Sequence, residues 1–318
     1  MGAVQKRPRR LRRLAGRAAL VLLLLAAGGF AAETIARTGD ATGHAPPGRL
    51  VDVGGHRLHL HCVGTGGPTV VFEAGWGESA ANWADIQASV AAGIGGRSMR
   101  ACAYDRAGYA WSEPGPGPRD AARAADELRV LLERSGERGP FVFAAHSYGG
   151  HVVRLFAHRH PERVAGLVLV DVSDASGHAD GPGRVAVPLM VAQTTVYQFA
   201  ARVGLVRLAG AAMTPDGSPD LARRHAAVVY GSGSMSAARD EALAFPTSTE
   251  QVRAAERPGA WSRLPVTVIS PAGGDPLGTH RDLAGRSAQG RHVLAGTGDH
   301  YVHLREPHLV AEAIAAVA

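Results

Sequence analysis

The run Phe141–Arg154, FVFAAHSYGGHVVR, leaves few architectures open. Phe141–Ala145 is apolar and strand-like, His146-Ser147-Tyr148-Gly149-Gly150 breaks it, and a helical pattern follows. A strand that turns at one serine and feeds a helix forces that serine into a strained backbone and lifts its Oγ above the strand end. Glycine is needed where the turning chain passes too close for a side chain. The G-x-S-x-G elbow is met as Ala145-His146-Ser147-Tyr148-Gly149, with alanine for the first glycine. Five residues are a weak match alone, since an ordinary strand-to-helix loop can carry a serine. The remainder of the chain has to decide.

Apolar runs at Thr69–Phe72, Met99–Tyr104, Val164–Val170, Val266–Ile269 and His292–Ala295 read as strands, after an opening hairpin Leu50–Val53/Leu58–Val63. Helical patterns separate them. Ala121, Ala124, Ala125, Leu128, Leu131 and Leu132 form one stripe behind a capping Asp120, and Pro307–Val317 closes the chain. Such alternation implies an α/β fold, a mainly parallel sheet of about eight strands covered on both faces. In it, Asp105, Ser147, Asp171, Asp275 and His300 all follow strands and converge on one sheet edge. That shared address raises Ser147 above an ordinary loop serine. The organisation expected is 1–33 as a basic N-terminus with an apolar segment, 34–48 as a linker, 49–172 and 262–318 as the core. The stretch 173–261, helical pieces broken by Gly/Ser clusters, is too long for a loop and reads as an inserted lid.

Charge narrows the function. The pI near 9.9 suggests nucleic acid, but Lys6, Arg7, Arg9, Arg10, Arg12, Arg13 and Arg17 precede every acidic residue. Beyond them 27 basic residues face 28 acidic ones, a net of −1, so nucleic-acid binding is rejected. Ala18–Ala32 then runs apolar without interruption. A positive flank before such a run reads as an export signal or an uncleaved anchor, with the arginines inside and the body outside. The localisation expected is membrane-anchored with an extracytoplasmic body, or secreted. No metal-ligand spacing, phosphate loop or nicotinamide fingerprint stands out, so no metal or cofactor is expected.

GRLVDVGGHRLHLHCVG, VVFEAGWG, YDRAGYAWS, AHSYGG, HPERVAGLVLVD and GDHYVHLREP together resemble the α/β-hydrolase fold family, from about Arg49 to Ala318. Within it the chain is similar to proline iminopeptidase-like and haloperoxidase-like serine hydrolases, especially membrane-anchored actinobacterial ones. The resemblance implies Ser147 as nucleophile, His300 as base and, in the loop after Val266–Ile269, Asp275 as the acid that orients it. Asp171 holds the position that a minority of relatives use, and Asp299, beside the base, is expected to point elsewhere. Backbone N–H groups of Tyr148 and Trp76 would form the oxyanion hole, though Glu73-Ala74-Gly75 departs from the His-Gly of many relatives. His56, His151, His158, His160 and His303 are assigned to surface or packing, as are Asp105, Arg106 and Trp111. Tyr197, Phe199 and Trp261 are assigned to lid–core packing ahead of an apolar pocket. The usual strand order of the family puts Cys62 beside Cys102, and a disulfide is expected there, which export would permit. The activity implied is cleavage of a carboxylic ester, with proline-type amides as the alternative and a non-catalytic binding protein as a third reading. Substrate-binding residues and oligomeric state are not legible.

Overall fold

A computed structural model of the chain describes residues 6–43, 45–173, 183–213, 225–275 and 277–318. Helix α1 (Lys6–Gly43) precedes strands β1 (Arg49–Asp52), β2 (Arg57–Val63) and β3 (Thr69–Glu73). Then come α2 (Ala84–Ala92), β4 (Ala101–Tyr104), α3 (Ala121–Arg134), β5 (Phe141–His146), α4 (Gly149–Arg159) and β6 (Val164–Val170). Between β6 and the next strand the longer helices are α5 (Gly183–Arg202), α6 (Leu205–Met213) and α7 (Ser232–Ala255). The chain ends with β7 (Val266–Ser270), α8 (Thr279–Ala284), β8 (Gly290–Leu294), α9 (Val302–Arg305) and α10 (Pro307–Val317).

The eight strands form one sheet in the order β1-β2-β4-β3-β5-β6-β7-β8, antiparallel at β1-β2-β4 and parallel from β4 onward. Alternation splits each central strand between two core layers. Phe143, Ala145, Leu167 and Leu169 pack on the side of α3 and α4, while Val142, Ala144, Val168 and Val170 pack on the side of α2 and α10. Burial on both faces explains why these strands are uninterrupted apolar runs. The α3 stripe is fully inside, and Asp120 Oδ1 accepts the Arg123 N–H at 2.9 Å as its cap. From β4 the chain returns across β3 to form β5 on its far side, so the loops after β3 and β5 flank a topological switch point, where ligand sites open in such sheets.

Cys62 and Cys102 are cross-strand partners in the β2–β4 register, and their sulfurs are bonded.

Two expectations change. The linker read at 34–48 is helical as far as Gly43, because α1 continues past its apolar stretch. Glu33 and Arg37 pair one turn apart at 3.0 Å, and the Thr34 and Thr38 hydroxyls donate to the carbonyls of Phe30 and Ile35. The ion pair, about 0.2–0.5 kcal/mol, offsets only part of the roughly 1 kcal/mol cost of Gly39 inside the helix. Phe199 is not part of lid–core packing. It is 67 % exposed, whereas Trp261 is in the core.

Candidate active site

Ser147 is at the tip of β5 with φ 49°, a left-handed conformation that costs a non-glycine residue free energy and marks sites where the fold enforces it. Its N–H donates to Val170 O at 3.2 Å, and its carbonyl accepts the Ser173 N–H at 3.1 Å, so the elbow is stitched to the end of β6. Gly149 is obligatory here. A Cβ would lie 2.7 Å from Ala74 O and from Glu73 Cγ, where the helix start passes the loop after β3. Ala145 is buried with the turn intact.

Asp171 follows β6 and also has a left-handed backbone, φ 41°. Its Oδ2 lies 2.5 Å from His300 Nδ1, and the His300 side chain is 47 % exposed. Here the expectation for Asp275 is corrected. The Asp275 carboxylate is occupied at the start of α8, accepting the backbone N–H of His280 and of Arg281, each at 3.1 Å, and approaching the Thr279 hydroxyl at 3.3 Å. Burial raises its pKa, but those N–H groups outweigh burial and leave it below the ordinary value. The carboxylate beside His300 is therefore the one after β6. Asp299 does point elsewhere, to the Tyr301 N–H at 3.0 Å and Arg305 Nε at 2.9 Å.

The loop after β3 is gripped from two sides. Arg106 donates from Nη1 to Ala74 O at 2.6 Å and from Nη2 to Gly75 O at 2.9 Å. With the Gly75 carbonyl turned to Arg106, the Trp76 N–H of the same planar peptide points the opposite way. Neither that N–H nor the one of Tyr148 has an acceptor among the described residues. Arg106 itself lies between Glu73 at 2.7 Å and Glu241 of α7 at 2.7 Å, all three within 3 % of full burial. Burial pushes the Glu73 carboxyl up to about 7 even though Arg106 and Tyr104 favour its ionised form. The assignment of Arg106 to a supporting role is thus given content: it ties the loop to the helix above it. Trp76 Nε1 also donates to Ala238 O of α7 at 2.7 Å, and Tyr148 meets Ser248 at 3.1 Å.

Two residues that the sequence reading passed over complete the surroundings. His146, one residue before the serine, is fully buried; its Nε2 donates to His300 O at 2.9 Å, and its Nδ1 lies 2.7 Å from Glu78 Oε1. Glu78 Oε2 in turn accepts the Gly75 N–H at 3.0 Å. The carbonyl can only accept, so Nε2 carries a proton, and the carboxylate beside Nδ1 favours a second one there. Burial works against that charge, and the Glu78 carboxylate outweighs it, raising the His146 pKa. The Nδ1–H is not aimed along the contact, so the pair is held by charge more than by a directed bond. Beside it, His303 is held neutral, its pKa lowered to about 3 by burial and then by the His146 charge. Glu78, His146 and His303 could each offer one metal ligand. However, 2.7 Å between two of them is closer than the roughly 3.3 Å between ligands of a tetrahedral zinc. They fit an ion pair with a tilted ring beside it, His303 lying 4.3 Å from His146 between centroids. Only Glu78, three residues past Gly75 in a loop with no other acid, could have signalled this in the sequence.

The titratable groups facing His146 are Glu78 from the loop after β3, Asp171 just past β6, and His300 and His303 from the last turns of the core. Its raised folded pKa contributes stability that is whole below the ordinary 6.5 and is lost as pH rises through the folded value. Glu78 is depressed, burial being outweighed by His146 and His303, so its contribution is whole above 4.5 and lost in acid. Between those bounds both contributions are present. Glu78→Gln is expected to cost about 1–3 kcal/mol at pH 5.5 and progressively less as pH rises through the folded His146 pKa, read from urea midpoints along a pH series. A loss that does not change with pH would contradict the charged pair.

A family model for the α/β hydrolase fold matches residues 68–307. The chain belongs to the α/β-hydrolase family. Among curated proteins it is similar to the uncharacterized protein YqjL of Bacillus subtilis, 33 % identical over 111 residues, 35 % of this chain and 42 % of that protein. It is similar also to a putative non-heme haloperoxidase of Mycobacterium phage D29, 34 % identical over 133 residues, 41 % of this chain and 45 % of that one. The matches thus span less than half the length of either relative. Among solved structures, the Cif epoxide hydrolase of Acinetobacter nosocomialis has a TM-score of 0.72 at 15 % identity, covering 90 % of this chain and 95 % of that one. The enol-lactonase of Burkholderia xenovorans LB400 has 0.64 at 19 %, covering 85 % and 99 %. These likenesses establish the shared fold, an eight-stranded, mostly parallel sheet with helices on both faces.

Proposed function

We propose that this hydrolase cleaves carboxylic esters, with Ser147 as nucleophile, His300 as base and Asp171 as the group that orients the base. The observation that carries the reading is the 2.5 Å contact of His300 Nδ1 with Asp171, set beside a serine held at φ 49° on the neighbouring strand tip. As Ser147 Oγ attacks the carbonyl carbon, its proton passes to His300 Nε2, and Asp171 stabilises the imidazolium. The N–H groups of Trp76 and Tyr148 receive the oxyanion. The imidazolium proton leaves with the departing alcohol, giving an acyl-serine. Water then attacks the acyl carbon, His300 takes its proton and returns it to Ser147 Oγ, and the acid is released. A serine in the elbow suits acyl transfer; displacement at an alkyl carbon needs a carboxylate there. The helices of 173–261 serve as the lid.

The same proposal places the body outside the cytoplasm on an N-terminal anchor. Leu11–Thr38 of α1 is long and apolar enough to cross a membrane, with mean hydropathy 2.0, and only 6 % of its most apolar window is buried against protein. A core helix of such composition would be covered. The test of the chemistry is a fluorophosphonate probe followed by peptide mapping, with p-nitrophenyl esters and proline amides as substrates. A covalent adduct on Ser147 and faster ester turnover are expected; an unlabelled protein would leave a binding module instead.

A further inference from the structure

Helix α5 carries its apolar stripe on the outside. Leu189, Ala192, Val196 and Phe199 recur at i, i+3, i+7 and i+10, one helix face, and all four are exposed. Leu189, Val196 and Phe199 are 65, 64 and 67 % exposed, and Leu205 and Leu208 of α6 add 57 and 84 %. The opposite face of α5 packs on α7, where Gln198 bonds Ser236. An amphipathic helix with its apolar side turned away from the core marks a surface meant to be covered.

The turn joining the two helices shows what covers it. A Cβ on Gly29 of α1 would lie 2.5 Å from Val203 O, so the turn presses directly against the apolar helix at a position where only glycine fits. Gly29 is three residues short of the end of the apolar stretch Ala18–Ala32, about 5 Å along the helix axis. One turn further, Glu33 is buried against the lid and pairs with Arg207 of α6 at 2.8 Å and with Arg37 at 3.0 Å. The turn therefore sits near the outer end of the uninterrupted apolar stretch, just before the first acidic residue of α1. Phe199 and Leu205 flank that turn in the chain, and both are exposed. Amphipathic helices that lie on membranes bury their apolar face at this depth, at the headgroup–acyl boundary.

We propose that the face formed by Leu189, Val196, Phe199, Leu205 and Leu208 docks on the outer leaflet of the lipid bilayer in which α1 is anchored. The inference rests on the anchored reading above. The α7 helix on which this face rests also bonds Trp76 and Tyr148 beside the Ser147 elbow, so docking would act on the elbow through α7.

The test uses the full chain in phosphatidylcholine–phosphatidylglycerol vesicles. Both native cysteines are joined in the disulfide, so a single introduced cysteine takes the label. Phe199→Cys, Leu208→Cys and, as a control on α7, Glu250→Cys (72 % exposed) each carry the environment-sensitive dye NBD. Flotation of the vesicles reports the anchor separately. The expected result is that doxyl-lipid quenches positions 199 and 208 at least threefold more than 250, with iodide showing the reverse order. Floating protein whose 199 and 208 labels are quenched by iodide and not by doxyl-lipid would overturn the docking while the anchor stands. Labels shielded from both quenchers would place a second copy or another protein on the face and overturn it too. Protein that fails to float removes the anchor and the docking together.

Discussion

Asp171→Asn is expected to lower kcat for an ester by about 10⁴-fold, the loss seen when the carboxylate behind a catalytic histidine becomes an amide. The amide keeps the space and a hydrogen bond. It presents the wrong partner to His300 Nδ1, trapping the tautomer that cannot take the serine proton, and offers no charge to the imidazolium. Asp275→Asn is the informative comparison. Its carboxylate accepts backbone N–H groups at the start of α8, so the change should cost about 1 kcal/mol of stability and leave kcat nearly untouched. Steady-state kinetics on the two variants separate the assignments. A collapse of kcat in the Asp275 variant with a working Asp171 variant would restore the more usual position of the acid.

The second large effect is expected at Arg106. Removing this guanidinium, as in Arg106→Met, leaves Glu73 and Glu241 facing each other without a cation in a site closed to water. Breaking a buried ion pair by deleting one partner costs about 3–5 kcal/mol, most of it the desolvated charge left behind. Glu73, already pushed up to about 7, can take a proton to relieve part of it. The carbonyls of Ala74 and Gly75 lose their donor at the same time. The loop carrying the Trp76 N–H is then free to rotate, so kcat should fall about 10²-fold in whatever fraction stays folded, as for the loss of one oxyanion donor. Urea denaturation and kcat measured on the same preparation check both parts. A variant with wild-type stability and reduced kcat would show that the network serves only the loop; full activity in a destabilised protein would show the converse.

How far the sequence reached can be argued from particular residues. Ser147 was legible because strand, turn and helix periods are local, and a serine between them can stand in few places. The sheet was legible for the same reason: β5 and β6 are unbroken apolar runs, which only burial on both faces explains. His300 could be placed after the last strand by the same reading. The carboxylate that meets it could not be. Asp171 and Asp275 both follow strands of the sheet, and the choice between them depends on the direction of a side chain across neighbouring strands. Asp171 is turned to His300 by a left-handed backbone at the end of β6, while the N–H groups of α8 hold Asp275. Neither cause leaves a mark in spacing or composition.

By itself, then, the amino-acid sequence determined the layers of this protein, the serine at the sheet edge and the apolar helix before the body, because each follows from hydrophobic periods a few residues long. Only the tertiary structure decided which carboxylate meets His300, that a buried Glu78–His146 pair joins the two loops around the serine, and that α5 and α6 turn Phe199 and Leu208 outward. Those outcomes arise from contacts between residues tens to more than a hundred positions apart, where packing and charge across the folded molecule choose among candidates that local pattern leaves equal.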